Sequence, residues 1–391
     1  MFAKLVLKSG RDRSIRNRHP WIFSGAVKTW PEADNGDIIA VTDNSDQLLG
    51  YGFYSPKSQI CCRLFEFTQT EVAAFEADYW FKKIEGALRL RQSFLDFKQT
   101  NCFRLLHAEG DFLPGVIADV YDEVVVMQVL IKGTEKIFPA IEAAMIQLGF
   151  PHIYLKQKEN SGFLEAVSLP KGWRGTPVEM PLTVVENGIK FIVDVETGQK
   201  TGFFIDQRDN RALTRNYVKD KMVLNAFSYT GGFSLYALAG GAAEVHSVDI
   251  SKDAIARADA MVKLNFPDAK HSAIAEDCFD YLRHCETKYD VIVLDPPAFA
   301  KNAKSVPNAA RGYKDLNLLA MKNLRPGGLL FTYSCSQNIT PDLFRKIVFG
   351  AAVDAGKEVR ILRFLSQADD HPINIYHPEG EYLKGLLLYV A

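Results

Sequence analysis

Met222-Val-Leu-Asn-Ala-Phe-Ser-Tyr-Thr-Gly-Gly-Phe233 decides the fold. A short apolar run ends at a Ser-Tyr-Thr-Gly-Gly turn, and the residues from Phe233 through Leu235 to Ala239 have helical spacing. A strand that enters a helix through paired glycines begins a sheet whose strands are joined by crossover helices. The pattern repeats downstream. Strands are expected over 244–249, 271–274, 289–295, 328–334, 358–364 and 386–390, with helices between the first six strands of the series. Such alternation implies an α/β fold, a mostly parallel sheet covered on both faces. Ligands in these sheets lie outside the carboxyl ends of the strands. Function is therefore sought after Ala226, Asp249, Ile274, Asp295 and Ser334.

The first turn supplies Asn225, Phe227, Ser228, Tyr229, Thr230, Gly231 and Gly232 as candidate ligand contacts. Its glycines let the backbone pass close to a ligand, but the Gly-x-Gly-x-x-Gly spacing of a pyrophosphate cradle is absent. Asp249 closes the second strand, where an acid accepts hydrogen bonds from both ribose hydroxyls, and Ser251 follows it. Glu276-Asp277-Cys278 places a second acid after the third strand, where an adenine amine can donate. This order fits a nucleoside without phosphates, and S-adenosylmethionine is such a ligand. Each feature also has a plainer role, since a Gly-Gly turn can serve only helix entry and a strand-terminal Asp can be an N-cap. NAD is the competing ligand, and the missing third glycine counts against it.

The fourth strand runs into Asp295-Pro-Pro-Ala-Phe299. Two prolines fix the departing chain and hold Asp295 at the strand tip, where a carboxylate can meet the polar edge of an extruded base. The fifth strand ends in Ser334-Cys335-Ser336. A cysteine at a strand end is commonly a packed small hydrophobe, but this one neighbours the strand that carries Asp295. Methylating a pyrimidine carbon requires a nucleophile on the adjacent ring carbon, and a thiolate suits that task. Cys335 is the expected nucleophile.

The remainder of the chain bounds the reading. At roughly 100 to 200 residues per domain, 391 residues correspond to two or three domains. A composition of 47% hydrophobic and 24% charged residues excludes wholesale disorder and fibrous repeats. Six scattered cysteines without a Cys-x-x-Cys pair argue against a disulfide framework and a zinc ribbon. No metal site is expected. The absence of an apolar run long enough for a membrane span, and of a secretory leader, makes a soluble cytoplasmic protein the expectation. Residues 1–30 hold seven cations (Lys4, Lys8, Arg11, Arg13, Arg16, Arg18, Lys28) against Asp12 alone, a local footprint for a polyanion on a chain of net charge −1. Short strands over 4–7, 37–42, 48–53 and 60–65 suggest a small β barrel, and a helical period over 71–97 marks a boundary. Strands over 103–107, 115–120, 124–130 and 153–156 with a helix over 133–148 suggest a second, α+β unit. The expected division is 1–70, 71–190 and 191–391.

At these residues the chain resembles the class I S-adenosylmethionine-dependent ribosomal RNA methyltransferases of the large-subunit cytosine-5 type. The resemblance rests on His19-Pro-Trp-Ile-Phe-Ser-Gly25, Glu109-Gly-Asp-Phe-Leu-Pro-Gly115, Thr201-Gly-Phe-Phe-Ile-Asp-Gln-Arg208, Phe227-Ser-Tyr-Thr-Gly-Gly-Phe233, Asp295-Pro-Pro-Ala-Phe299 and Tyr333-Ser-Cys-Ser336. It implies a PUA-like RNA-binding β barrel, a central α+β domain and a Rossmann-like methyltransferase domain. It further implies that 227–232, Asp249, Ser251, Asp277 and Asp295 surround the cofactor, that Arg208 meets the methionine carboxylate through its planar fork, and that Cys335 is the attacking thiol. Many RNA cytosine-5 methyltransferases carry a second cysteine after the prolines; here that position is Ala298, so another base or water must remove the ring proton.

Three functions follow. The first is cytosine-5 methylation of ribosomal RNA through a covalent Cys335 adduct. The second is methylation of an exocyclic base amine, the chemistry of Asp-Pro-Pro-aromatic motifs, although Phe299 falls one position late. The third is an RNA-binding assembly factor with a vestigial pocket, which the intact strand-end acids oppose. A monomer and a homodimer both fit the sequence.

Overall fold

The computed structural model describes residues 2–157 and 167–391. The chain divides into two compact units, one of Met1–Glu186, Ile192–Ile205 and Asp370–Gly380, the other of Asn187–Phe191, Asp206–Asp369 and Glu381–Ala391.

The first unit holds two sheets. One has six strands in the order Trp21–Phe23, Ile60–Glu66, Leu48–Tyr54, Ile38–Thr42, Lys4–Leu7, Val27–Thr29. Apolar side chains at alternate positions, such as Leu5 and Leu7 or Ile39 and Val41, bury a common interior with Ile22 and Leu64. The strands Trp21–Phe23 and Val27–Thr29 were not expected, because three residues show no measurable period. The other sheet runs Gly172–Arg174, His152–Leu155, Val124–Val129, Val116–Tyr121, Cys102–His107. The helix expected over 71–97 spans only Ala77–Gln92. Phe75 lies outside it and packs edge-on against Phe65 at 5.0 Å. The helix expected over 133–148 is two, Lys132–Lys136 and Phe138–Gln147, because Pro139 opens a first turn and cannot continue a helix already under way.

The second unit is built on a seven-stranded sheet: β1 (Met222–Ala226), β2 (Glu244–Asp249), β3 (His271–Ala275), β4 (Tyr289–Leu294), β5 (Leu324–Ser334), β6 (Val359–Ser366) and β7 (Lys384–Val390). Helices α1 (Arg208–Arg215), α2 (Gly232–Ala239), α3 (Lys252–Asn265), α4 (Cys278–His284), α5 (Val306–Asn323) and α6 (Pro341–Ala355) accompany it. The strand order is β3-β2-β1-β4-β5-β7-β6. β1 to β5 are parallel, whereas β7 runs antiparallel to both β5 and β6. Leu224, Ile292, Leu294 and Leu330 of the central strands are fully buried, as doubly covered strands require. The chain leaves β1 in one direction and returns on its other side at β4. Between these two lies the topological switch point, where such sheets open a crevice at their carboxyl ends.

Candidate active site

Past Ala226 the backbone bends through Phe227 (φ +60°), Tyr229 (φ +46°) and Gly231 (φ +83°). Side-chain-bearing residues in the left-handed region cost on the order of 1–3 kcal/mol each and persist only where their surroundings enforce them. Three bonds do so here. The Ser228 N–H donates to the Val248 carbonyl (3.0 Å), the Tyr229 N–H to Asp249 Oδ2 (2.9 Å) and the Phe227 N–H to Cys278 Sγ (3.1 Å). Gly231 is required twice over, since its φ disfavours any Cβ and an added one would stand 3.0 Å from the Ala258 methyl on α3.

The acids are anchored from behind. Asp249 Oδ1 accepts from the Ser251 N–H (2.9 Å), so both carboxylate oxygens are fixed in place. Ser251 in turn caps α3 by accepting from the Ala254 N–H at 3.2 Å. Asp277 caps α4, accepting from the N–H groups of Phe279 (2.9 Å) and Asp280 (3.2 Å). Cys278 is buried, donates to the Val248 carbonyl (3.5 Å) and is pushed up to about 12 by that burial, so it stays a thiol that latches the first turn. Asn225 lies below the turn with its amide donating to Ser234 Oγ at 2.9 Å. Arg208, at the start of α1, is buried with Nε 3.4 Å from Asp209 Oδ1. Ser228 and Thr230 are buried, and Ser228 Oγ has no hydrogen-bond partner among the described residues.

On the far side of the switch point Asp295 leaves β4, its N–H directed at the Ala226 carbonyl (3.5 Å). Gln207 Nε2 donates to Asp295 Oδ1 at 2.9 Å, and Gln207 Oε1 accepts from Asn210 Nδ2 at 2.6 Å. Because the Gln207 carbonyl oxygen is taken by Asn210, its amide nitrogen must face the carboxylate. Cys335, one residue beyond β5, is half-buried, with Sγ 3.9 Å from the Pro296 carbonyl oxygen. Ser336 Oγ accepts from the Ala300 N–H (3.1 Å) and bonds the Tyr313 hydroxyl (2.9 Å), tying the turns after β4 and β5 together.

Residues 125–374 match the family model described as S-adenosylmethionine-dependent methyltransferase, and residues 5–67 match a PUA-like domain. The chain belongs to the S-adenosylmethionine-dependent methyltransferases. Curated relatives of this methyltransferase include the ribosomal RNA large subunit methyltransferase I of Alteromonas mediterranea, 43% identical over 100% of both chains. The protein of the same name from Klebsiella pneumoniae is 41% identical over 98% of each. A solved methyltransferase complexed with SAH superposes with a TM-score of 0.85, and an S-adenosylmethionine-dependent methyltransferase from Streptococcus mutans with 0.83; both are 26% identical and covered in full. The Rossmann-like domain and the PUA-like barrel expected from the sequence are thus present, and the cofactor is S-adenosylmethionine.

Several residues at the methyltransferase site were not singled out from the sequence. Gln207, Asn210 and Tyr313 lie on elements remote in sequence from the strand tips they support. Ile250, next to Asp249, is 72% exposed. In the PUA-like barrel, Lys4 is paired with Asp46 (2.7 Å) and Arg16 with Asp12 (2.5 Å) and Asp43 (2.6 Å), so these two cations are neutralised locally. Lys8, Arg11, Arg13, Arg18 and Lys28 form no ion pair among the described residues. Arg11 lines a cavity of about 300 Å³ with Ser14, Trp21 and Phe23, whose ring is 49% exposed. No helix among the described residues is long and apolar enough to cross a membrane.

Proposed function

We propose that this methyltransferase methylates carbon 5 of a cytosine in large-subunit ribosomal RNA through a covalent adduct on Cys335. The observation that carries the reading is the half-buried Cys335 thiol beside the turn that follows Asp295, across the switch point from the Phe227–Gly232 turn. The names of the curated relatives support large-subunit ribosomal RNA as substrate.

S-adenosylmethionine, when bound, supplies an electrophilic methyl group. Asp249 is assigned to the ribose hydroxyls, since each of its carboxylate oxygens, fixed by one backbone N–H, keeps acceptor capacity to spare. Ser228 Oγ offers a buried polar atom to the ligand, and exposed Ile250 gives a flat purine an apolar surface. Asp277 serves the adenine side, and Arg208 is assigned to the methionine carboxylate. Asn225, Tyr229, Thr230, Gly231, Gly232, Ser251 and Cys278 shape this cradle rather than supply its charge.

The Cys335 thiolate adds to carbon 6 of the ring, forming a carbon–sulfur bond and pushing the ring electron pair toward carbon 5, the position that accepts the methyl. Asp295, held by Gln207, shares one proton with the ring nitrogen, which holds it as charge shifts there and returns it on elimination. Loss of the carbon-5 proton to water returns the electron pair to the ring, breaks the carbon–sulfur bond and restores the thiolate. The basic face of residues 1–70, with Arg11, Arg13 and the Phe23 ring, holds the RNA. This work is done in the cytoplasm, and one chain carries every residue named.

The test is mass spectrometry of nucleosides from large-subunit ribosomal RNA treated with the enzyme. 5-Methylcytidine is expected. A methyl group on an exocyclic amine would overturn the reading, because that chemistry needs no thiol.

A further inference from the structure

Lys384 opens β7, where it pairs in register with Ser334, the last residue of β5. Its side chain turns inward, leaving the residue 5% exposed. Nζ donates to the carbonyl oxygens of Ser336 (2.7 Å) and Ile339 (2.8 Å), which bracket the turn immediately after Cys335. An ammonium taken out of water needs compensation beyond two neutral carbonyls. Burial pushes Lys384 down to about 8, opposed by the charges of Cys335 and Glu381. A lysine buried solely to tie a loop would be a costly substitute for a neutral donor such as glutamine.

We infer that Lys384 is a positioning residue for Cys335: its buried ammonium fixes the turn that carries the thiol and favours the thiolate over the thiol. The inference rests on reading Cys335 as the nucleophile. The groups around that sulfur set the sign. From β4 comes the Pro296 carbonyl, with Asp295 one residue earlier at the strand tip. From α5 comes Tyr313, which burial keeps protonated and which feels the Cys335 charge. From the approach to β7 comes Glu381, acting on Lys384. Lys384 brings a positive charge to this set, and removing it takes that charge away from a forming thiolate.

The experiment is the pH dependence of iodoacetamide alkylation, read on the Cys335 peptide by mass spectrometry, in the unaltered chain and in Lys384→Met and Lys384→Gln. Glutamine keeps a donor for the carbonyls without the charge. The unaltered chain is expected to alkylate with a midpoint below the roughly 8.5 of a free cysteine. Both substitutions are expected to raise it by about one unit, a tenfold slower reaction at neutral pH, with S-adenosylmethionine binding by calorimetry changed less than about threefold. An unchanged midpoint in either folded variant overturns the inference, as does a midpoint at or above 8.5 in the unaltered chain, which decides alone if neither variant folds. The underlying reading fails separately: a fully active Cys335→Ala would remove the nucleophile while leaving the alkylation result as measured.

Discussion

The Cys335 sulfur lies 3.9 Å from the carbonyl oxygen of Pro296, so the residue that follows β5 touches the residue that follows Asp295. Two strand tips separated by 40 positions in sequence thereby present a sulfur and a carboxylate on the same edge of the sheet. Adjacent parallel strands make this inevitable once both end at the same level, and the β4–β5 register, with Leu294 opposite Thr332, sets that level.

Gln207 orients Asp295 through a hydrogen bond donated by its side-chain amide. Replacing it with alanine removes a hydrogen bond to a charged group, a loss of about 1.5–3 kcal/mol. In the Gln207→Ala variant kcat should fall about tenfold to a hundredfold, while KM for S-adenosylmethionine moves little. Steady-state kinetics with saturating RNA checks this; an unchanged kcat would show that Asp295 needs no such support.

Gly231→Ala tests the turn. The substitution forces a Cβ into the left-handed region, at a cost of roughly 1–2 kcal/mol, and against the Ala258 methyl. Thermal unfolding should shift down by several degrees and S-adenosylmethionine affinity should drop. Calorimetric titration beside a melting curve separates the two effects.

These supports were only partly legible in the sequence. Every strand of the seven-stranded sheet falls within four residues of its expected place, because apolar runs ending at Gly, Asp or Pro carry their own boundaries. Asp249, Asp295 and Cys335 could be found as strand ends. Gln207 could not, since it precedes α1, and nothing in its local sequence says which strand tip it meets. The three-residue strands of the first unit, and Gly172–Arg174, Leu182–Glu186 and Ile189–Val193, were missed in stretches where Gly and Pro read as loop. The plain role offered for Asp277, a helix N-cap, is one that it fills.

Cys278 gives the alkaline limb of stability. Burial holds its thiol up to about 12, whereas an unfolded cysteine ionises near 8.5. Above the unfolded value the unfolded chain sheds a proton that the folded chain keeps, so this contribution is complete below about pH 8.5 and is lost as pH rises toward 12. The stability difference between the unaltered chain and Cys278→Ala should therefore shrink between pH 8 and pH 10. Denaturant unfolding at both pH values measures it, and a constant difference would place the thiol in contact with solvent.

The unpaired cations of the PUA-like barrel set the salt dependence of RNA binding. Neutralising Arg11 and Arg13 together should weaken binding. It should also flatten the plot of log affinity against log salt, by about 0.7 in slope for each single-strand phosphate that the protein no longer neutralises. Filter binding across a salt series reads this directly. Equal slopes would move the RNA to another face.

Covalent catalysis is tested most directly by trapping. Incubated with S-adenosylmethionine and ribosomal RNA containing 5-fluorocytosine, the enzyme should form a denaturation-resistant adduct whose sulfur maps to Cys335, because fluorine cannot leave carbon 5 as a proton does. No adduct, or full activity in Cys335→Ala, would contradict the account.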